Sequence, residues 1–155
     1  MQTRKLTPAQ ALLNARNYCS YQERSHFEVK EKLFGFGLTA AEVENIIAEL
    51  ISDDFLNEER FARAFARGKF KLKGWGKVKI RYELKQRRVS DYCIRKGLSE
   101  IDGDEYEKKL NKLFEEKLTQ LKSEKNVFVK KRKLMDHLRQ KGYEPDLIQN
   151  LLKQE

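Results

Sequence analysis

The sequence predicts an all-α fold, three tandem three-helix repeats forming an elongated, curved array. Three observations predict it. Of 155 residues, 39% are hydrophobic and 37% charged, and only two prolines and eight glycines interrupt the chain. That mixture suits helices with one buried face. The chain also matches itself three times along its length. Finally, helix-capping residues stand where those matches would begin and end. No segment alternates apolar and polar residues long enough to read as a strand.

The self-match is read by setting Leu33, Leu84 and Leu138 in one column. Four residues earlier stand Val29, Ile80 and Leu134. Five later come Leu38, Val89 and Tyr143; ten later, Val43, Ile94 and Ile148; fourteen later, Ile47, Leu98 and Leu152. Every column is apolar, and the four-residue intervals are helical. Five columns in phase, three times over, mark an internal repeat. The repeats are expected over residues 1–52, 53–101 (the basic one) and 102–155. Each is near the lower size limit for independent stability, so stacked copies would bury one another's faces.

The helix boundaries follow in order. Thr7-Pro8-Ala9-Gln10 caps the first helix, which continues through Leu12, Leu13, Ala15 and Tyr18. Ser25 with Glu28 reads as a capping box, and the helix it opens runs to about Phe34. Gly37 stands where a helix end wants a left-handed residue; Gly142 holds that column in the third copy and Arg88, a departure, in the second. Thr39 with Glu42 is a further capping box, with Ser90 and Glu144-Pro145 as its counterparts. Asn57-Glu58-Glu59 caps the helix of Phe61, Ala62, Phe65 and Ala66. Asp104-Glu105 is read as opening the helix of Leu110, Leu113, Phe114, Leu118 and Leu121.

Catalytic chemistry is hard to build from these residues. His26 and His137 read as surface histidines, with no second ligand at metal spacing. No GxxxxGK[ST] or GxGxxG loop occurs, and Gly35-Phe36-Gly37 and Gly74-Trp75-Gly76 lack the strand a phosphate loop needs. Asp53-Asp54, in the connection between the first two units, reads as helix capping or solvation rather than a metal site. Cys19 and Cys93 form no CxxC pair and read as reduced, packed thiols. No catalytic residue, metal or cofactor is therefore expected. No stretch approaches the ~20 apolar residues of a membrane span, and Met1–Pro8 is polar. A cytoplasmic location is the expectation, and a monomer is the simpler one for stacked repeats.

The net charge of +9 is concentrated in one place. Residues 60–96 hold 14 Lys and Arg against two acidic residues, while residues 1–59 are net negative and 97–155 nearly neutral. Such a local field favours a polyanionic partner. Arg60, Arg63 and Arg67 fall on one helical face. Lys69, Lys71 and Lys73 lead into the turn around Trp75. Lys77, Arg81, Lys85 and Arg88 follow at four, four and three, with Lys79 beside them. These residues are the candidate contacts to phosphates or to an acidic protein surface. No base-reading pattern is visible, so little sequence specificity is expected. Trp75 either anchors its turn in the core or lies exposed, stacking on a base or filling a partner's pocket. A secondary basic patch runs through Lys130, Lys131, Arg132 and Lys133.

These segments resemble the RecX family. The junction Asp53-Asp54-Phe55-Leu56-Asn57-Glu58-Glu59-Arg60-Phe61-Ala62-Arg63-Ala64-Phe65 is similar to the family's acidic-then-aromatic entry into its second repeat. Gly74-Trp75-Gly76 and Lys79-Ile80-Arg81-Tyr82-Glu83-Leu84 resemble its glycine turn and I-x-x-E-L core, and Ser25-His26-Phe27-Glu28-Val29-Lys30-Glu31-Lys32-Leu33 its S-x-x-E-[LV]-x-x-K-L helix. The third repeat matches mainly by spacing. The resemblance implies a regulator that binds the RecA recombinase filament on single-stranded DNA and usually inhibits it in DNA repair. Direct binding to single-stranded DNA, with double-stranded DNA as a further candidate, is also implied. The residues alone leave a second reading open: a free-standing, sequence-nonspecific nucleic-acid-binding module with no recombinase partner.

Overall fold

The computed structural model describes residues 5–154, so Met1–Arg4 of the polar N-terminal stretch lie outside the described residues. Nine α-helices and no strand occur among the described residues. They are α1 (Pro8–Tyr21), α2 (His26–Gly35), α3 (Ala40–Ser52), α4 (Glu58–Lys73), α5 (Lys77–Gln86), α6 (Asp91–Leu98), α7 (Gly103–Gln120), α8 (Val127–Lys141) and α9 (Pro145–Lys153). All fifteen residues of the five sequence columns are buried. The columns are the core because an apolar position repeated at helical spacing puts one stripe of each helix out of water.

The chain divides into two compact units, and α4 and α5 each give residues to both. The first unit comprises Met1–Ala64 and Leu84–Gly97. Within it α1, α2 and α3 pack together around Ala11, Ala15, Val29, Leu33, Val43, Leu50 and Leu56. Thr7 and Thr39 each accept a bond from the third helical backbone N–H, while Gln10 and Glu42 reach back to the cap N–H. Ser25 accepts from the Glu28 N–H at 3.1 Å and donates to the Glu28 carboxylate. The acidic pair serves helix ends: Asp53 caps α3 and meets Arg16, and Asp54 adopts a left-handed backbone beside Arg60.

The second unit comprises Phe65–Glu83 and Leu98–Glu155. Here α8 packs on both α7 and α9, burying Leu110, Phe114, Leu134, Leu138, Ile148 and Leu152. Two details differ from the sequence reading. The cap of α7 is Asp102, which accepts from the Glu105 N–H at 3.0 Å, so the helix begins at Gly103 rather than at Asp104. Both histidines are half-buried rather than surface residues: the His26 Nε2 is buried without a partner and its Nδ1 lies 3.7 Å from Glu58, and His137 is partly covered in the second unit.

No helix among the described residues is long and apolar enough to cross a membrane. No group of three or more His, Cys, Asp or Glu able to hold a metal occurs among them.

Candidate functional site

In the second unit the turn Gly74-Trp75-Gly76 is built by backbone contact. Gly76 donates to the Lys141 carbonyl at 2.8 Å, and Val78 to the Gly142 carbonyl at 2.9 Å. A Cβ on Gly76 would overlap the Gly142 carbonyl oxygen, so only glycine lets these two turns touch. Gly142 is itself left-handed, at φ 98°. Two tyrosines lock the turn from below. Tyr143 donates to the Gly74 carbonyl at 3.0 Å, and the Tyr106 hydroxyl accepts from the Lys77 N–H at 2.9 Å while donating to Glu144. Burial pushes both phenols well above their ordinary range, and the bond to Glu144 adds to the shift of Tyr106. Both therefore stay protonated donors. Lys141 Nζ adds a bond to the Lys73 carbonyl at 3.3 Å.

Around this fixed turn stand most of the expected contacts. Arg67, Lys71, Lys73 and Arg81 are exposed; Lys69, Trp75, Lys77 and Lys79 are half-buried. Trp75 matches neither simple reading. Phe65 meets it edge-on at 6.2 Å, and the Lys69 and Lys79 ammonium groups lie 5.0 and 4.5 Å from its ring centroid. Lys77 lies 4.8 Å from the Tyr106 ring. Arg67 pairs with Glu100 at 3.4 Å. Among the described residues, Lys69, Lys71, Lys73, Lys77, Lys79 and Arg81 have no carboxylate at ion-pair distance.

The first unit holds the remaining four, and three of them, Arg60, Arg63 and Lys85, meet a carboxylate. Arg60 Nε contacts both Glu23 oxygens at 2.8 and 2.7 Å, and its other nitrogens reach the Asp54 carboxylate and carbonyl. The bond to Glu23 raises its pKa further. Arg63 pairs with Glu59 one turn away, and Lys85 approaches Asp91 at 3.8 Å. Arg88 lies 4.8 Å over Phe27. Each arginine of the face at Arg60, Arg63 and Arg67 thus has an acidic partner: Glu23 and Asp54, Glu59, and Glu100 in turn. Helical phase shows the Glu59 partner of Arg63 one turn away, but says nothing of Glu23 or Glu100, which come from elsewhere in the chain.

The secondary patch lies on the first turns of α8. Lys130 and Lys131 are half-buried, Arg132 and Lys133 exposed, and Lys133 approaches Glu124 at 3.8 Å. On the same first turns of α8 Phe128 is 85% exposed.

One group escaped the sequence reading. Lys108, Lys109 and Lys112 of α7 join Lys71 in a shallow groove of about 300 Å³ floored by Phe70, with Glu105 as the acidic member. Their K-K-x-x-K spacing was visible. The near-neutral total of residues 97–155 concealed it, because the acids of α7 cancel the sum although Glu105 alone of them lines the groove.

Residues 57–98 match the family model for the second three-helix domain of RecX, and residues 104–152 that for the third. The chain is 30% identical over 142 residues to "Regulatory protein RecX" of Prosthecochloris aestuarii, covering 92% of this chain and 91% of that protein. It is 30% identical over 145 residues to the protein of that name from Bacillus cytotoxicus, of whose length it spans about half (53%). Among solved structures it is similar to RecX from Lactobacillus salivarius, at a TM-score of 0.82 and 25% identity over 95% of each chain. The three-helix repeats, the fifteen buried column residues and these relatives agree: the chain belongs to the RecX family of regulatory proteins.

Proposed function

We propose that this chain binds the RecA recombinase filament on single-stranded DNA and lowers its strand exchange and ATP hydrolysis, as part of the control of DNA repair. The family supplies the regulatory role. The observation that carries the contact is the set of cations from Lys69 to Arg81 that no carboxylate neutralises among the described residues. Unanswered charges of this kind attract phosphates, and each phosphate contact releases counterions. The chain acts by binding alone, as a cytoplasmic monomer, with no cofactor and no chemical step of its own.

The test is single-stranded-DNA-dependent ATP hydrolysis by a bacterial recombinase, with this protein titrated well below the recombinase concentration. A strong fall at that ratio supports action on the filament. No change, together with tight binding to bare single- or double-stranded DNA, replaces the proposal with a free-standing nucleic-acid-binding module. The half-buried Trp75 between lysines favours that second reading as far as DNA contact goes. Metal-dependent cleavage of nucleic acid in the same samples would overturn the non-catalytic assignment.

A further inference from the structure

The Trp75 cluster is arranged for a more specific ligand than a generic polyanion. Lys69 comes from α4 and Lys79 from α5, and both ammonium groups are held by the same indole ring. Lys69 also lies 5.5 Å from the Phe65 ring. Neither lysine has a carboxylate at ion-pair distance among the described residues. Their charges are thus answered only by aromatic faces, which attract a cation less strongly than an oxyanion does. The ring is set by different forces. The turn beneath it is fixed through Gly76 to Lys141, Val78 to Gly142 and Tyr143 to Gly74.

A phosphate arriving at this cluster would draw the two ammonium groups off the ring. That exchange uncovers an indole face already held in place. What such a face accepts is a second flat ring, and every unpaired base has one. A duplex does not, because its bases are stacked on both sides. An acidic protein surface would engage the lysines but leave the indole without a partner.

We propose that Lys69, Trp75 and Lys79 form a seat for one unpaired nucleotide of single-stranded nucleic acid, the lysines taking a phosphate and Trp75 stacking on the base. This rests on the reading that the basic segment meets the DNA of the filament, and it assigns this part of the segment to DNA rather than to the recombinase.

Trp75 is the chain's one tryptophan, so intrinsic fluorescence reports this position alone. The full chain is titrated, without recombinase, with an oligothymidylate of roughly fifteen nucleotides, with an abasic oligomer of the same length and with a duplex. Saturable quenching is expected with oligothymidylate, at roughly tenfold or greater affinity over the abasic oligomer, and little quenching with duplex. Trp75→Leu should erase the preference for bases and leave affinity for the abasic oligomer unchanged. Lys69→Gln with Lys79→Gln should weaken both single strands and alter the emission of the free protein. Circular dichroism checks that each variant folds; should Trp75→Leu fail, the quenching and the lysine pair still decide. Equal affinity for the two single strands, or tight binding without a fluorescence change, overturns the seat. Lowered recombinase ATP hydrolysis with silent Trp75 fluorescence keeps the filament reading and removes the seat. Quenching with no effect on the recombinase does the reverse.

Discussion

The hydroxyl of Tyr143 donates a hydrogen bond to the carbonyl oxygen of Gly74, 69 residues earlier in the chain, at 3.0 Å. The bond is buried, and it ties the start of α9 to the turn that carries Trp75. Tyr143→Phe keeps the ring and its contact with Tyr106 at 5.1 Å but leaves that carbonyl without this donor. An unmet buried acceptor costs about 1–3 kcal/mol. Urea denaturation should show a lower midpoint with an unchanged slope. An unchanged midpoint would mean that the hydroxyl contributes nothing to stability.

Two glycines should respond oppositely to the same methyl group. In Gly76→Ala the new Cβ would collide with the backbone of Gly142 and Tyr143, which cannot rotate away. Overpacking against rigid atoms costs about 1–3 kcal/mol or more. Gly68 sits inside α4, and the place its methyl group would take has no atom within 4 Å. There alanine should stabilise by roughly 0.5–1 kcal/mol, because glycine is the poorer helix former. Thermal unfolding of the two variants separates them, and a stabilised Gly76→Ala would refute the close approach.

Acid should weaken the first unit through His26. Burial lowers its pKa below 6.5; Glu58 opposes that shift and Lys30 adds to it. The unfolded chain therefore takes up the proton first as pH falls. Stability from this group is complete above pH 6.5 and declines below it. His137 of the second unit is lowered as well, by burial first and then by Lys117 and Lys141, so it acts in the same direction. Melting temperatures at pH 7.5, 6 and 5 should fall in order, and His26→Gln should flatten the trend. A midpoint that rises on acidification would contradict the sign.

Charge reversal and core truncation should separate binding from folding. Lys71, Lys73 and Arg81 are exposed and meet no carboxylate among the described residues. Reversing them to Glu should weaken binding strongly while helicity stays intact, and should lower the salt slope on single strands by ~0.7 per lost phosphate contact. Leu84 is 0% exposed, and Leu84→Ala should cost roughly 2–5 kcal/mol while the folded fraction still binds.

Arg60 serves as the control. Its guanidinium braces Glu23 and Asp54 at a side-chain exposure of 37%. Arg60→Gln should lower stability by up to about 1 kcal/mol and leave DNA affinity nearly untouched. A loss of affinity as large as that of the Lys71, Lys73 and Arg81 variant would return Arg60 to the contact surface.

The fold was legible because its signals are local. Leu33, Leu84 and Leu138 recur with their neighbours at helical spacing, and Thr39 with Glu42 announces a helix start within four residues. The column of Gly37, Arg88 and Gly142 held even across its departure: Arg88 is left-handed at φ 58°, between glycines at 82° and 98°. The site was less legible because its geometry is non-local. Nothing near Arg60 in sequence points to Glu23, which lies 37 residues away. Tyr106, Gly142 and Tyr143 fix the Trp75 turn from residues 29 to 69 positions distant, through shape that no periodicity encodes.

The touching of Gly76 and Gly142 limits how freely such chains can trade parts. The repeats look like interchangeable cassettes when read as columns. Yet a third repeat grafted from a relative would dock here only if it brought a bare, left-handed residue at 142 and a phenol at 143. The two turns are thus one inheritance, and a chimera that splits them inherits a collision.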